Sequence, residues 1–191
     1  MGDSTVKIHR LFGTLCVAIA AVACSGIAVS QDQGPPSQYE HVKGMADFIG
    51  FWTADFQPPN GPEGTLRVSC RWTANRSYAS FGIMMQSGDE RTHIGTTQVG
   101  WNGADKQLNA WGFWPDQQTH GKASVESGKL QIKSTGTTVD GIKTSADVTY
   151  TVDGDTMTIT VKNRRQGDSE QPDMNIKLER RQRRRVTRDA Q

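Results

Sequence analysis

The feature that most constrains this chain is a two-residue hydrophobic rhythm that recurs from residue 51 to residue 181. Its clearest instance is 64–73, where Leu66, Val68, Cys70 and Trp72 alternate with Arg67, Ser69 and Arg71. Successive side chains of an extended strand point to opposite faces, so this pattern describes a strand with one face buried and the other in water. Strands are predicted also over 51–56, 77–86, 93–101, 107–114, 119–126, 129–135, 142–152, 156–163 and 174–181. Turn chemistry separates them, at Pro58-Pro59-Asn60-Gly61-Pro62, Asn75-Arg76, Ser87-Gly88-Asp89-Glu90, Asn102-Gly103, Pro115-Asp116, Ser127-Gly128, Asp140-Gly141 and Asp153-Gly154.

No helix long enough for a parallel crossover interrupts these strands, so neighbours pair antiparallel as a meander. A sheet of that length with one apolar face closes on itself, which removes its edges and buries that face. The expectation is an all-β protein: a single antiparallel up-and-down β-barrel of about ten strands. Residues 41–49, carrying Met45, Phe48 and Ile49, read as a short helix or turn that plugs it. The domain plan is an export segment over 1–30, a polar, Pro-containing linker over 31–40, the barrel over 41–181 and a basic tail over 182–191.

The export reading rests on Lys7 and Arg10 ahead of an apolar run over 11–23, too short for a comfortable membrane span and followed by small residues. Two processing sites compete. Cleavage after Ala28-Val29-Ser30 is preferred, giving a periplasmic or extracellular protein. The alternative is lipidation at Cys24 within Ala21-Val22-Ala23-Cys24, where Ala21 stands at a position that usually carries Leu. After cleavage at Ser30, Cys70 is the sole thiol, so no intrachain disulfide forms, and its place on an alternating strand marks it as a small buried hydrophobe.

The net charge of +2 hides an uneven distribution. Residues 31–179 carry 14 basic against 18 acidic side chains, whereas residues 180–191 carry six Arg against Asp189. A mildly acidic body without interleaved basic and aromatic residues disfavours nucleic-acid binding. The Arg-rich tail reads as a solvated segment first, and second as a weak, salt-sensitive contact to an anionic envelope surface.

Gly50-Phe51-Trp52, opening the first strand after a short apolar segment, resembles the Gly-x-Trp signature of lipocalins and related calycins. In that superfamily a basic residue ending the last inward-alternating strand packs over the Trp. The resemblance therefore implies Trp52 and Arg180 as a barrel-closing pair, the latter having the parity of Leu178, through a cation–π contact of ~1 kcal/mol. The chain is also similar to a largely uncharacterised bacterial lipocalin-like family, seen as the C-terminal half of planctomycete SnoaL-like proteins. The similarity runs through Phe48-Ile49-Gly50-Phe51-Trp52, Arg71-Trp72, Val99-Gly100-Trp101-Asn102, Ala110-Trp111-Gly112-Phe113, Thr135-Gly136 and Asp140-Gly141. It departs at Asn102, where that family usually has Asp, and it lacks the SnoaL-like half. No reaction comes with the resemblance.

Chemistry is sparse. His41, His93 and His120 are far apart, with no cysteine partner to complete a zinc set, so no metal is expected. The haem-binding barrels among the calycins use a His late in the chain, and none follows His120; no cofactor is expected. No Gly-x-Ser-x-Gly elbow presents a nucleophile, and catalysis is not implied. The aromatic and Met set is the remaining signal. Trp72, Phe81, Trp111 and Phe113 are expected to wall a lumen that holds a small hydrophobic or amphipathic ligand. A filled barrel serving as a structural or interaction protein of the envelope is the first alternative, and an enzyme using His93 or His120 in the lumen is the second.

Overall fold

The computed structural model describes residues 37–58 and 63–181. The residues read as an export segment, Cys24, the turn expected at 59–62 and the residues of the basic tail lie outside them. A short helix, α1 (Tyr39–Val42), and a 3-10 segment over Lys43–Phe48 precede the strands. The helix starts two residues inside the stretch read as linker, because Tyr39 packs edge-on against Trp72, ring centroids 5.4 Å apart.

The strands are β1 (Gly50–Phe56), β2 (Gly64–Trp72), β3 (Tyr78–Ser87), β4 (Glu90–Asn102), β5 (Gln107–Phe113), β6 (Gln117–Glu126), β7 (Lys129–Thr138), β8 (Lys143–Asp153), β9 (Thr156–Gln166), β10 (Ser169–Gln171) and β11 (Met174–Arg180). Each of β1 to β9 pairs antiparallel with the next, β9 pairs with β11, and β11 returns to β1, which closes the barrel. The three-residue β10 is not an eleventh stave. Gln171 faces Arg164 and Met174 faces Val161, so β10 and β11 hold one unbroken register against β9 and are a single strand interrupted at Pro172-Asp173. Proline has no N–H to give the ladder, and the pairing lapses there. The barrel is thus all-β with ten staves, as the alternation predicts.

Two bulges change the parity. One extra residue on β4, Ile94, lies between the pairs Ile83–Gly95 and Met84–His93. On β9, Asn163 and Arg164 together oppose Ala146, between the pairs Asp147–Lys162 and Ser145–Arg165. Asn163 adopts φ +52°, a conformation Asn tolerates better than most residues, and its Nδ2 donates to Asp147 Oδ2 at 2.7 Å.

One end of the barrel is solidly packed. Met45 and Phe48 from the 3-10 segment meet Trp52, Cys70, Phe81, Val99, Leu130, Met157 and Leu178, all fully buried. Burying a side chain of Leu or Phe size contributes about 1.5–3 kcal/mol each, so this plugged half is the main source of stability. Arg180 seals it. Its guanidinium lies 4.0 Å from the Trp52 ring centroid and donates to the carbonyls of Ile49 and Asp47, each at 3.0 Å. Gly50 is required here twice over: it has φ +151°, and a Cβ would come within 2.8 Å of Arg180 Nη1.

Candidate functional site

The other half of the barrel is open. Tyr150 points inward from β8, and its hydroxyl interacts with the Thr97 side chain on β4. Both residues are buried, and the Phe81 ring packs beneath Tyr150 at 5.0 Å between centroids. This crossbar divides the interior, with the plugged core below and a cavity of about 330 Å³ above. A volume of that order is at the lower end of what small-molecule sites use.

The lower wall of the cavity is apolar, formed by Leu66, Ile83, Ala110, Ile132, Val148 and Ile159. Ile94 joins them because the β4 bulge turns it inward. Higher up, Thr119, Ser134, Thr138 and Thr144 add hydroxyls, and the mouth carries Asp116, Gln117, Arg164, Arg165, Gln166 and Gln171. Thr144 Oγ1 is buried without a hydrogen-bond partner, so a polar group suited to a ligand or water is aimed into this region. Three rim segments are tied together. The Val139 N–H donates to Asp116 O at 2.8 Å, and the Gly167 N–H donates to Lys143 O at 2.8 Å. The exposed large apolar side chains among the described residues, Phe113 (50%), Val139 (76%) and Ile142 (40%), all belong to this rim.

Burial holds the Tyr150 hydroxyl well above its ordinary range, at about 12, with Cys70 adding to the effect and the Thr97 contact opposing it. The same burial pushes the Cys70 thiol up. Both groups are therefore neutral at physiological pH: a hydrogen-bonding phenol and an unreactive thiol.

The four residues expected to form the wall separate. Phe81 is fully buried but lies under the Tyr150 crossbar, below the cavity. Trp72 sits near the plugged end against Tyr39. Trp111 and Phe113 do not face the interior at all. In β5 the buried residues are Leu108, Ala110 and Gly112, so the odd-numbered aromatics point outward. Trp111 packs on the outer face against Tyr78, centroids 6.2 Å apart, and Tyr78 in turn covers Gly100, which has no room for a Cβ. The aromatics that line the cavity are Phe56, Tyr150 and Trp114; Trp114 has the parity of Ala110 and lies against Gly95, where a Cβ would collide with its ring.

The histidines are also outside. His120 is exposed on the outer face of β6, His93 is exposed and bonded to Thr96 Oγ1 at 3.0 Å, and His41 stacks on Trp101 at 4.1 Å. A luminal histidine enzyme is thus contradicted by the direction of these side chains. No group of three His, Cys, Asp or Glu residues among the described residues is arranged to hold a metal ion.

No protein-family model matches the chain, and no curated protein does. Among solved structures, the crystal structure of Rv2717c from M. tuberculosis is similar, with a TM-score of 0.52 over 74% of this chain and 98% of that one, at 14% identity. Likeness at that identity shows the fold alone, a lipocalin-like barrel.

Proposed function

We propose that this protein is an exported binding module that holds a small hydrophobic or amphipathic molecule in the open half of its barrel. The observation that carries the reading is the cavity of about 330 Å³ above the Tyr150–Thr97 crossbar, apolar in its depths and polar at its mouth. A ligand's apolar part gains by leaving water, about 25 cal/mol per Å² buried, while its polar end stays among the rim hydroxyls, amides and charges. Membership of the lipocalin-like bacterial family belongs to this reading, as does export through the basic and apolar segment at the N-terminus. The arginine run beyond Arg181 would give the exported protein a weak, salt-sensitive hold on an anionic envelope surface.

Titration of the purified protein with a neutral phenyl-naphthylamine fluorophore tests the binding reading. The expected result is saturable enhancement of its emission, with energy transfer from Trp114. A flat titration, together with native mass spectra of protein from its own host at the bare chain mass, would leave the filled-barrel role in its place.

A further inference from the structure

We infer that the mouth of the barrel is selective for a ligand with an anionic head, a carboxylate or phosphate monoester on an apolar body, and that Arg164 is the residue that reads it. This rests on the binding reading above and adds the class of ligand.

On an unbroken β9 the inward positions would run Met157, Ile159, Val161 and then Asn163, leaving Arg164 in solvent. The bulge at Asn163 reverses that order. Arg164 is half-buried between exposed neighbours and lines the cavity, while Asn163 is held outside by its bond to Asp147. The break in the adjacent strand completes the device: the pairing lapses at Pro172, and its carbonyl accepts a hydrogen bond from Arg164 Nη1 at 2.7 Å. The guanidinium is thereby fixed by a neutral acceptor. No carboxylate among the described residues lies within ion-pairing distance of it, although Asp155 does pair with Arg180 elsewhere.

The charge of the lining points the same way. Arg164 and Arg165 stand against Asp116 alone, on a body in which acidic side chains outnumber basic ones. A planar guanidinium with unused N–H groups, at the top of an apolar shaft, matches a carboxylate or phosphate head in both charge and geometry. Thr144, with its unpartnered hydroxyl in the same lining, supplies a second donor to such a head.

The test is competition against the bound naphthylamine fluorophore by four probes with the same ten-carbon chain: decanoate, decyl phosphate, decanol and decyltrimethylammonium. At least one anion should compete ten times better than decanol, and the cation should compete worst. In Arg164→Gln that advantage, taken as the ratio of anion to decanol competition, should shrink about tenfold; Asp116→Asn should increase it. Arg164→Lys, which keeps the charge but not the fork, should fall between. Equal competition by anions and decanol, or an anion advantage untouched in both Arg164 variants, would overturn the head-group assignment while leaving ligand binding intact. Failure of the fluorophore to bind at all would instead remove the binding reading on which this one stands.

Discussion

The Trp52 ring and the Arg180 guanidinium lie face to face across the seam where the last strand meets the first, 4.0 Å apart and paired in register. The arginine also holds the two carbonyls of the plug, while the Trp52 indole N–H donates to Phe48 O at 2.9 Å. Arg180→Ala should therefore lower unfolding free energy by about 2–4 kcal/mol, mostly through the stranded carbonyls and the lost cation–π contact. Its ion pair with Asp155, at 3.3 Å and largely exposed on the aspartate side, adds little. Urea denaturation should place Arg180→Lys between the wild type and the alanine variant. Equal stability of all three would contradict the seal.

Inward and outward faces of β5 make opposite predictions. Ala110→Leu, on the cavity wall, should abolish fluorophore uptake at a stability cost of about 1–3 kcal/mol from overpacking. Trp111→Ala and Phe113→Ala, on the outer face and rim, should leave uptake within twofold of wild type.

Tyr150 titrates at about 12 in the folded protein, above the ordinary tyrosine value of 10.0. Below the unfolded-state value the hydroxyl is neutral in both states, and its contribution to stability is fully present. As the pH rises from there to the folded value, ionisation favours the unfolded chain, at a cumulative cost of about 3 kcal/mol. The alkaline arm of the stability profile should be shallower in Tyr150→Phe, and phenolate absorbance should lose its most alkaline step. An unchanged profile would mean that the hydroxyl is not enclosed.

Cys70 is fully buried with its thiol pushed toward the neutral form. Native protein treated with an aromatic disulfide reagent and mapped by peptide should show Cys70 unlabelled, with labelling following the denaturation curve. Rapid modification in buffer would show the plugged half to be open to solvent.

The bulge at Asn163 is tested by conformation alone. With φ at +52°, Asn163→Gly should stay within about 0.5 kcal/mol of wild type once the loss of the bond to Asp147 is offset, whereas Asn163→Val should cost about 1–2 kcal/mol. If the valine variant also shows a weakened anion advantage in the competition assay, the bulge and the aim of Arg164 are coupled.

Strand number, hairpin positions and closure were legible in the sequence because each depends on local alternation and turn residues. The lining of the cavity was less so, for three physical reasons. Aromatic size drew attention to Trp111 and Phe113, although Leu108, Ala110 and Trp114 share the opposite parity and give the inward face of β5. Thr97, Thr138 and Thr144 also line the interior, and polar side chains add nothing to the apolar alternation that marks an inward face. And the bulges at Ile94 and Asn163 each shift the alternation by one residue, so Ile94 and Arg164 enter the site from positions that a regular strand would turn away.

The bond from Arg180 to Ile49 spans 131 residues. A nascent chain that has emerged only as far as Gln166 holds nine staves' worth of sequence but has a gap beside β1, so it offers two unsatisfied edges and a half-covered Trp52. Closure therefore waits for nearly the whole chain, which favours late, slow, all-at-once folding over stepwise assembly during synthesis.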